Sequence, residues 1–181
     1  MTLAPTLASI EDLYRKVERE SYRAYHARKR LHKVDHFFNF CVTAHSLRDY
    51  FFERKGIIHQ QQQSTYHELW NRDPALVAAG EIANTSKHFT LRFRDGKLKS
   101  PQTRRVRTTR RGFVDVYASA ESDELRFVHV RAPDVTVTLS DGTRHQLYQF
   151  MDRVLDYWRT YLRNENIPIR RQTLRHLAAP R

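Results

Sequence analysis

Two segments of the chain place side chains that can move protons or bind anions among apolar residues. The first spans residues 35–49 and the second spans residues 81–89. Burying an amide, an imidazole or a charge costs free energy unless the group is hydrogen-bonded, so each segment is either a structural network or a site. The candidate catalytic side chains are His45, Arg48, Asp49, Asn84, Lys87 and His88.

The spacing of these residues fits acid–base chemistry on a phosphate. His45 and Asp49 are i and i+4 neighbours on a helix, where a hydrogen bond between them would fix the imidazole tautomer. With His45 or His88 as the base and Arg48 or Lys87 stabilising phosphate charge, the pattern predicts a metal-independent nuclease or toxin-like enzyme. If the residues are structural instead, we expect Asp49 to lie in a buried network.

The segment around Asn84 also has a purely structural explanation. Asn tolerates the left-handed conformation that ends many helices, and Lys complements the helix dipole at the same end. Capping by Asn84 and Lys87 leaves His88 without a structural role, so His88 is the stronger site candidate.

Metal and cofactor motifs are missing from the sequence. The five glycines form no phosphate-binding loop or nucleophile elbow, and no metal-ligand spacing is present. The single cysteine, Cys41, excludes an internal disulfide and reads as a small buried apolar residue. We therefore predict no cofactor and no metal.

The net charge of +12 and the pI of 10.2 predict attraction to a nucleic acid or another polyanion. The alternative is a solvated basic face that only keeps the protein soluble. Basic residues follow one another without an intervening acid in a predicted loop over residues 95–111, and others lie in the C-terminal tail. The predicted nucleic-acid-binding residues are Lys97, Lys99, Arg104, Arg105, Arg107, Arg110, Arg111, Arg170 and Arg171.

The run from Asp35 to Ala44 followed by Leu47 and Asp49, and then Ala83-Asn84 with Lys87-His88-Phe89, resembles a family of small uncharacterised bacterial and prophage-encoded proteins. The likeness covers roughly the first half of the chain. In that family an aromatic residue and then His follow the Val-Thr-Ala stretch, whereas here His45 is followed by Ser46. The resemblance implies no activity, but it supports pairing Asp49 with the segment 84–88.

A second likeness is to the HEPN ribonucleases, helical proteins whose signature is an Arg followed by four to six residues and a His. Arg54 and His59 fit that spacing. Gly56 lies between them and interrupts the helix that the motif needs.

Helical spacing predicts the elements that carry the first segment. Ser9 and Asp12 cap an amphipathic helix that we expect to end near Arg30. Asp35 is the expected cap of the next helix, which must stop by Gly56. Its apolar positions cover more than one side, so we expect it to be packed on both flanks. The buried stripe of the first helix is predicted to be Ile10, Leu13, Tyr14, Val17, Ala24 and Tyr25.

Three further helices are predicted, with a loop before the first and a tail after the last. The polar run 60–64 indicates a loop, residues 66–70 a short helix, and Pro74 the first turn of another helix that ends near Ala83. Residues 147–166 keep helical spacing and predict a long closing helix. The stretch 167–181 is then a basic tail.

From Phe89 the apolar period changes to two, which predicts strands. We expect one strand from Phe89 to Asp95, then strands at residues 113–117, 125–130 and 135–139, with a turn at Ala132-Pro133-Asp134. Asp141-Gly142 can return residues 144–146 against the last strand. The prediction is one α+β domain over residues 1–181, with a mainly helical part (1–88), an antiparallel β-meander (89–146) and a long C-terminal helix.

No signal-peptide pattern and no apolar run near membrane-spanning length occur, so we expect a cytosolic protein without a membrane partner. The preferred interpretation is a non-enzymatic binding protein that contacts nucleic acid through the basic loop and the tail. The nuclease-like enzyme is the first alternative. A homo-oligomeric structural module is the second.

Overall fold

The computed structural model describes residues 7–85, 102–118 and 124–169. Its elements confirm the α+β class, with an antiparallel sheet between the first helices and a C-terminal helix. In chain order they are α1 (Ile10–His26), α2 (Arg30–Lys55), α3 (Gln60–Trp70), α4 (Pro74–Asn84), β1 (Thr103–Ala118), β2 (Leu125–Leu139), β3 (Arg144–Gln146) and α5 (Leu147–Asn164). Within these ranges no helix has the length and apolar composition needed to cross a membrane.

Hydrogen bonds to specific side chains fix both ends of α1. Ser9 accepts a hydrogen bond from the backbone N–H of Asp12, which confirms the predicted cap. The helix ends at His26, before Arg30, and the buried ammonium of Lys33 donates to the carbonyl oxygens of Ala24 and Tyr25 at 2.9 and 2.7 Å. A cation from α2 thus satisfies carbonyls that have no partner inside α1.

The start of α2 was predicted wrongly. The helix begins at Arg30, with Lys29 at its N-cap position and no capping side chain, and Asp35 is exposed within it. The residues before Asp35 extend the helix because Lys33 is anchored to the end of α1. The C-terminus is as predicted, since Gly56 adopts the left-handed conformation (φ 65°) that ends helices.

The polar run 60–64 is the first part of α3 and not a loop. Gln is a good helix former, and buried Trp70 anchors the far end of the helix on the core. The helix beginning at Pro74 is confirmed as α4, where the Asp73 carboxylate accepts from the backbone N–H groups of Ala75 and Leu76.

The sheet has the order β1-β2-β3 with both pairs antiparallel. The predicted turn at Ala132-Pro133-Asp134 is wrong, because β2 runs through it and Pro133 pairs with Arg110. Since β3 pairs only with residues 136–138, β2 has an open edge at Pro133, where sheets accept proline. The basic loop is wrong from residue 103 onward, because residues 103–111 belong to β1. Its remainder, 95–101, and the strand expected at 89–95 lie outside the described residues.

The register gives the sheet two faces. The inner face carries Val135 and Val137, which are fully buried against the helices. The outer face carries Arg105 and Arg107 on β1. Their partners on β2 are Thr138 and Thr136.

The core surrounds α2, which confirms that this helix is packed on both flanks. The helix is contacted by α1, α4, α5 and β2, and its buried apolar residues are Phe37, Phe40, Cys41, Ala44, Leu47, Phe51 and Phe52. Phe37 lies 5.7 Å from Phe150, and Trp70 lies 5.4 Å from Trp158, measured between ring centroids. Helix α5 therefore closes the core as predicted.

Candidate functional site

His45 lies on the side of α2 that faces α4. Its ring is so close to the backbone of Gly80 that a Cβ built there would lie 2.9 Å from Nδ1 and 3.1 Å from Cε1. The glycine thus allows this part of α4 to approach the half-buried imidazole. His45 is a packing partner of α4.

Arg48 is buried, with 8% of its surface exposed, and it faces the end of α3. Its Nη1 lies 3.5 Å from Oδ1 of Asn71, and its guanidinium carbon lies 5.5 Å from the ring centroid of Trp70. Burial lowers the pKa of Arg48 to about 10, while Tyr157 and Asp49 act in the opposite direction. Keeping the Arg48 guanidinium charged therefore costs desolvation free energy.

Asp49 is exposed and lines a surface pocket with His67, so the expected buried network around this carboxylate is wrong. Asp49 directly follows Arg48 on α2, and consecutive helical residues point in different directions, so Arg48 faces the core and Asp49 faces solvent. Asn84 is half-buried in the last turn of α4. Lys87 and His88 lie outside the described residues, and their catalytic role stays a prediction.

His45 and Arg48, two of the candidate catalytic residues, contact different elements. The His45 ring meets α4, whereas the Arg48 guanidinium meets Trp70 and Asn71 at the end of α3. Within residues 7–85, 102–118 and 124–169, no three His, Cys, Asp or Glu side chains come together to hold a metal ion.

The outer face of the sheet holds a groove of about 350 Å³, which we call the basic groove. Cross-strand register builds it in two rows, Arg105–Thr138–Arg144 and Arg107–Thr136–Gln146. Side chains directly opposite one another on neighbouring strands are close enough to act on one ligand. The lining residues are Arg104, Arg105, Arg107, Thr109, Thr136, Thr138 and Arg144.

The charges of the basic groove are uncompensated in the described part of the chain. None of its four arginines forms an ion pair or a side-chain hydrogen bond there. Several other basic side chains do have carboxylate partners: Arg23 with Glu20, Arg28 with Asp115, Lys55 with Glu165 and Arg153 with Asp73. Guanidinium and hydroxyl groups without an acidic neighbour form an anion-binding surface.

An acidic side chain next to the groove does not neutralise it. Asp134 opposes Thr109 across the two strands, but it is buried. One of its oxygens accepts from the backbone N–H of Val135 at 2.9 Å, and the other lies 4.0 Å from Nη1 of Arg111. This carboxylate is already engaged, so it leaves the four groove arginines free to bind a ligand.

No protein-family model, curated protein or solved structure matches this chain.

The sequence predicted part of this groove. Arg104, Arg105 and Arg107 line it, although they lie on a strand and not on a loop. Arg111 donates from Nη1 to Oε1 of Gln146, and Arg110 opposes Pro133 on the other face of the ribbon. Lys97, Lys99, Arg170 and Arg171 lie outside the described residues.

Sequence reasoning missed Arg144 and the three threonines. The alternation of Thr136 and Thr138 with Val135 and Val137 was a usable signal, because period two places the hydroxyls on the face opposite the core. Arg144 follows the Asp141-Gly142 turn, which returns it to β2. Its position beside Arg105 follows from sheet order, and the sequence left that order open.

Proposed function

We propose that this protein binds nucleic acid, with the basic groove holding the phosphates. The observation that carries the proposal is the convergence of four arginines without carboxylate partners in the described chain onto one face of the sheet. Arginine is suited to phosphate because its planar donors match two oxygens at once. The threonine hydroxyls add neutral donors between the charges.

The position of the groove supports this function. Its residues come from three strands whose opposite face packs on the helical core through Val135 and Val137. A rigid sheet holds the guanidinium groups at fixed spacing, so little ordering is required when a phosphate binds. The net charge of +12 would attract a polyanion from a distance and raise the association rate.

The test is the salt dependence of binding to a labelled oligonucleotide. We expect the observed affinity to fall steeply with salt, because each phosphate contact releases counterions. The variant Arg105→Ala/Arg107→Ala/Arg144→Ala should bind more weakly, and the slope of log affinity against log salt should shrink by roughly two to three units.

A matched control removes the same charge from α2, from α5 and from the turn between α3 and α4. Arg54, Arg72 and Arg163 are exposed and also lack carboxylate partners in the described structure. The variant Arg54→Ala/Arg72→Ala/Arg163→Ala lowers the net charge equally and should keep most of the affinity and the slope. If both triple variants lose the same amount, the attraction is a property of net charge and the groove is not the site.

A further inference from the structure

The row of β1 side chains that lines the basic groove continues towards the helices. Arg111 follows Arg107 and Thr109 in this row, Phe113 follows Arg111, and the β2 partners of Thr109 and Arg111, Asp134 and Ala132, are buried. The Arg111 guanidinium carbon lies 5.8 Å from the centroid of the Phe113 ring. The row of cations therefore leads directly to an aromatic side chain.

Three elements bring aromatic rings together at Phe113, and we call this cluster the aromatic corner. Tyr25, from the last turn of α1, lies 6.4 Å from Phe113 and 6.0 Å from Tyr148, the second residue of α5. Tyr25 is 42% exposed and Tyr148 is 56% exposed. The prediction that Tyr25 belongs to the buried stripe of α1 is wrong, because the helix has passed the edge of the core at this point.

The aromatic corner is held in place from three sides. Arg28 donates to both carboxylate oxygens of Asp115 at 2.7 Å, which ties the end of α1 to β1. Lys33 binds the carbonyl oxygen of Tyr25 itself. Arg111 donates to Gln146, the residue that caps α5 just before Tyr148. Exposed rings held this firmly lose little conformational freedom when a ligand stacks on them.

The length of β1 between Arg105 and Phe113 suits an extended polymer as ligand. A strand rises about 3.3 Å per residue, which puts roughly 26 Å between Arg105 and Phe113. A ligand that uses both regions therefore has negative charge along its length and flat, apolar surfaces at one end. Arginines line most of the path and aromatic rings lie at its end, a combination found in surfaces that join charge attraction to base stacking.

We infer that the preferred ligand is a single-stranded nucleic acid, whose backbone lies in the basic groove and whose bases stack on Tyr25 and Tyr148. A duplex offers phosphates to the groove, but its bases are stacked on one another and cannot reach the aromatic corner. A single strand offers both phosphates and open base faces. This inference rests on the proposed function and adds the strandedness of the ligand.

The experiment measures fluorescence anisotropy of labelled single-stranded DNA, single-stranded RNA and the corresponding duplex, each of about 12 nucleotides. Either single strand should bind at least about tenfold more tightly than the duplex, and the two single-stranded arms show whether DNA or RNA is preferred. Tyr25→Ala and Tyr148→Ala should each weaken single-strand binding by about 5- to 150-fold. The salt slope should stay unchanged, since no phosphate contact is lost.

Two further variants separate stacking from folding. Tyr25→Phe keeps the ring and should bind like the wild type, whereas Tyr25→Leu keeps apolar bulk without a ring and should bind like Tyr25→Ala. Phe127→Ala is the matched control, because this ring is 60% exposed on the other face of the ribbon. It should leave binding unchanged.

Failure of the inference and failure of the proposed function give different results. If the duplex binds as tightly as the single strands, or if Tyr25→Leu binds like the wild type, the stacking inference is overturned. The groove proposal then survives provided that the triple arginine variant still loses affinity. If the variant Arg105→Ala/Arg107→Ala/Arg144→Ala binds like the wild type, both the proposed function and this inference are refuted.

Discussion

The buried carboxylate of Glu81 on α4 accepts a hydrogen bond from the backbone N–H of Thr103, the first residue of β1, at 2.7 Å. Its second oxygen accepts from the backbone N–H of Gln102 at 2.9 Å. One side chain thus fixes the point at which β1 leaves the helical core. The basic groove begins at the next residue, Arg104, so Glu81 positions Arg104 and Arg105 through the backbone.

Glu81→Gln should lower the free energy of unfolding by about 1–3 kcal/mol, because an amide offers one acceptor oxygen where the carboxylate offers two. Hydrogen exchange at the amide of Thr103 should accelerate. Urea unfolding and hydrogen exchange would measure the two effects. Glu68→Gln on the exposed surface of α3 is the control, and an equal loss in both variants would refute the anchoring role.

Gly80→Ala should destabilise the protein by about 1–3 kcal/mol, because the added Cβ would press on the His45 ring. In a His45→Ala background the same change should instead stabilise by about 0.5–1 kcal/mol, as alanine normally does within a helix. A double-mutant cycle on urea midpoints tests the change of sign. Additive effects would show that His45 and Gly80 are not in contact.

Arg48→Met should raise the free energy of unfolding by about 1 kcal/mol. Burial lowers the pKa of Arg48 to about 10, which means that the folded state disfavours the charge, and Met keeps the apolar stem against Trp70. Arg48→Ala should lower the free energy by about 2 kcal/mol through lost packing. Equal losses in both variants would mean that the charge itself stabilises the fold.

Acidification should destabilise the protein partly through His67. Burial lowers the pKa of His67, the charge of Arg48 lowers it further, and Asp49 opposes both. Below the ordinary pKa of about 6.5 the unfolded chain binds a proton that the folded state resists, so stability is lost as the pH falls through the lowered pKa.

Urea midpoints measured at pH 7.5, 6.5 and 5.5 test this behaviour. His67→Gln should show a smaller loss on acidification than the wild type. His32→Gln, at an exposed position on α2, should follow the wild type. A His67→Gln profile that coincides with the wild-type profile would contradict the prediction.

The helices were largely readable from the sequence because their signals are local. Ser9, Gly56 and Pro74 mark the ends of elements through contacts within a few residues, and the stripe of α2 follows from its own period. The errors at Asp35 and at residues 60–64 arose where a distant contact decided the outcome. Lys33 binds the end of α1, and Trp70 anchors α3 on the core.

The positive charge of the basic groove could also be predicted from the sequence, because the arginines of β1 are close together in the chain. Only the tertiary structure decided what they face. Strand pairing joined Arg144 to Arg105 and Arg107 and placed threonines between them, and helix packing separated His45 from Arg48. Such pairings depend on which strand edges and helix faces meet between segments far apart in the chain, and local residue propensities do not determine them.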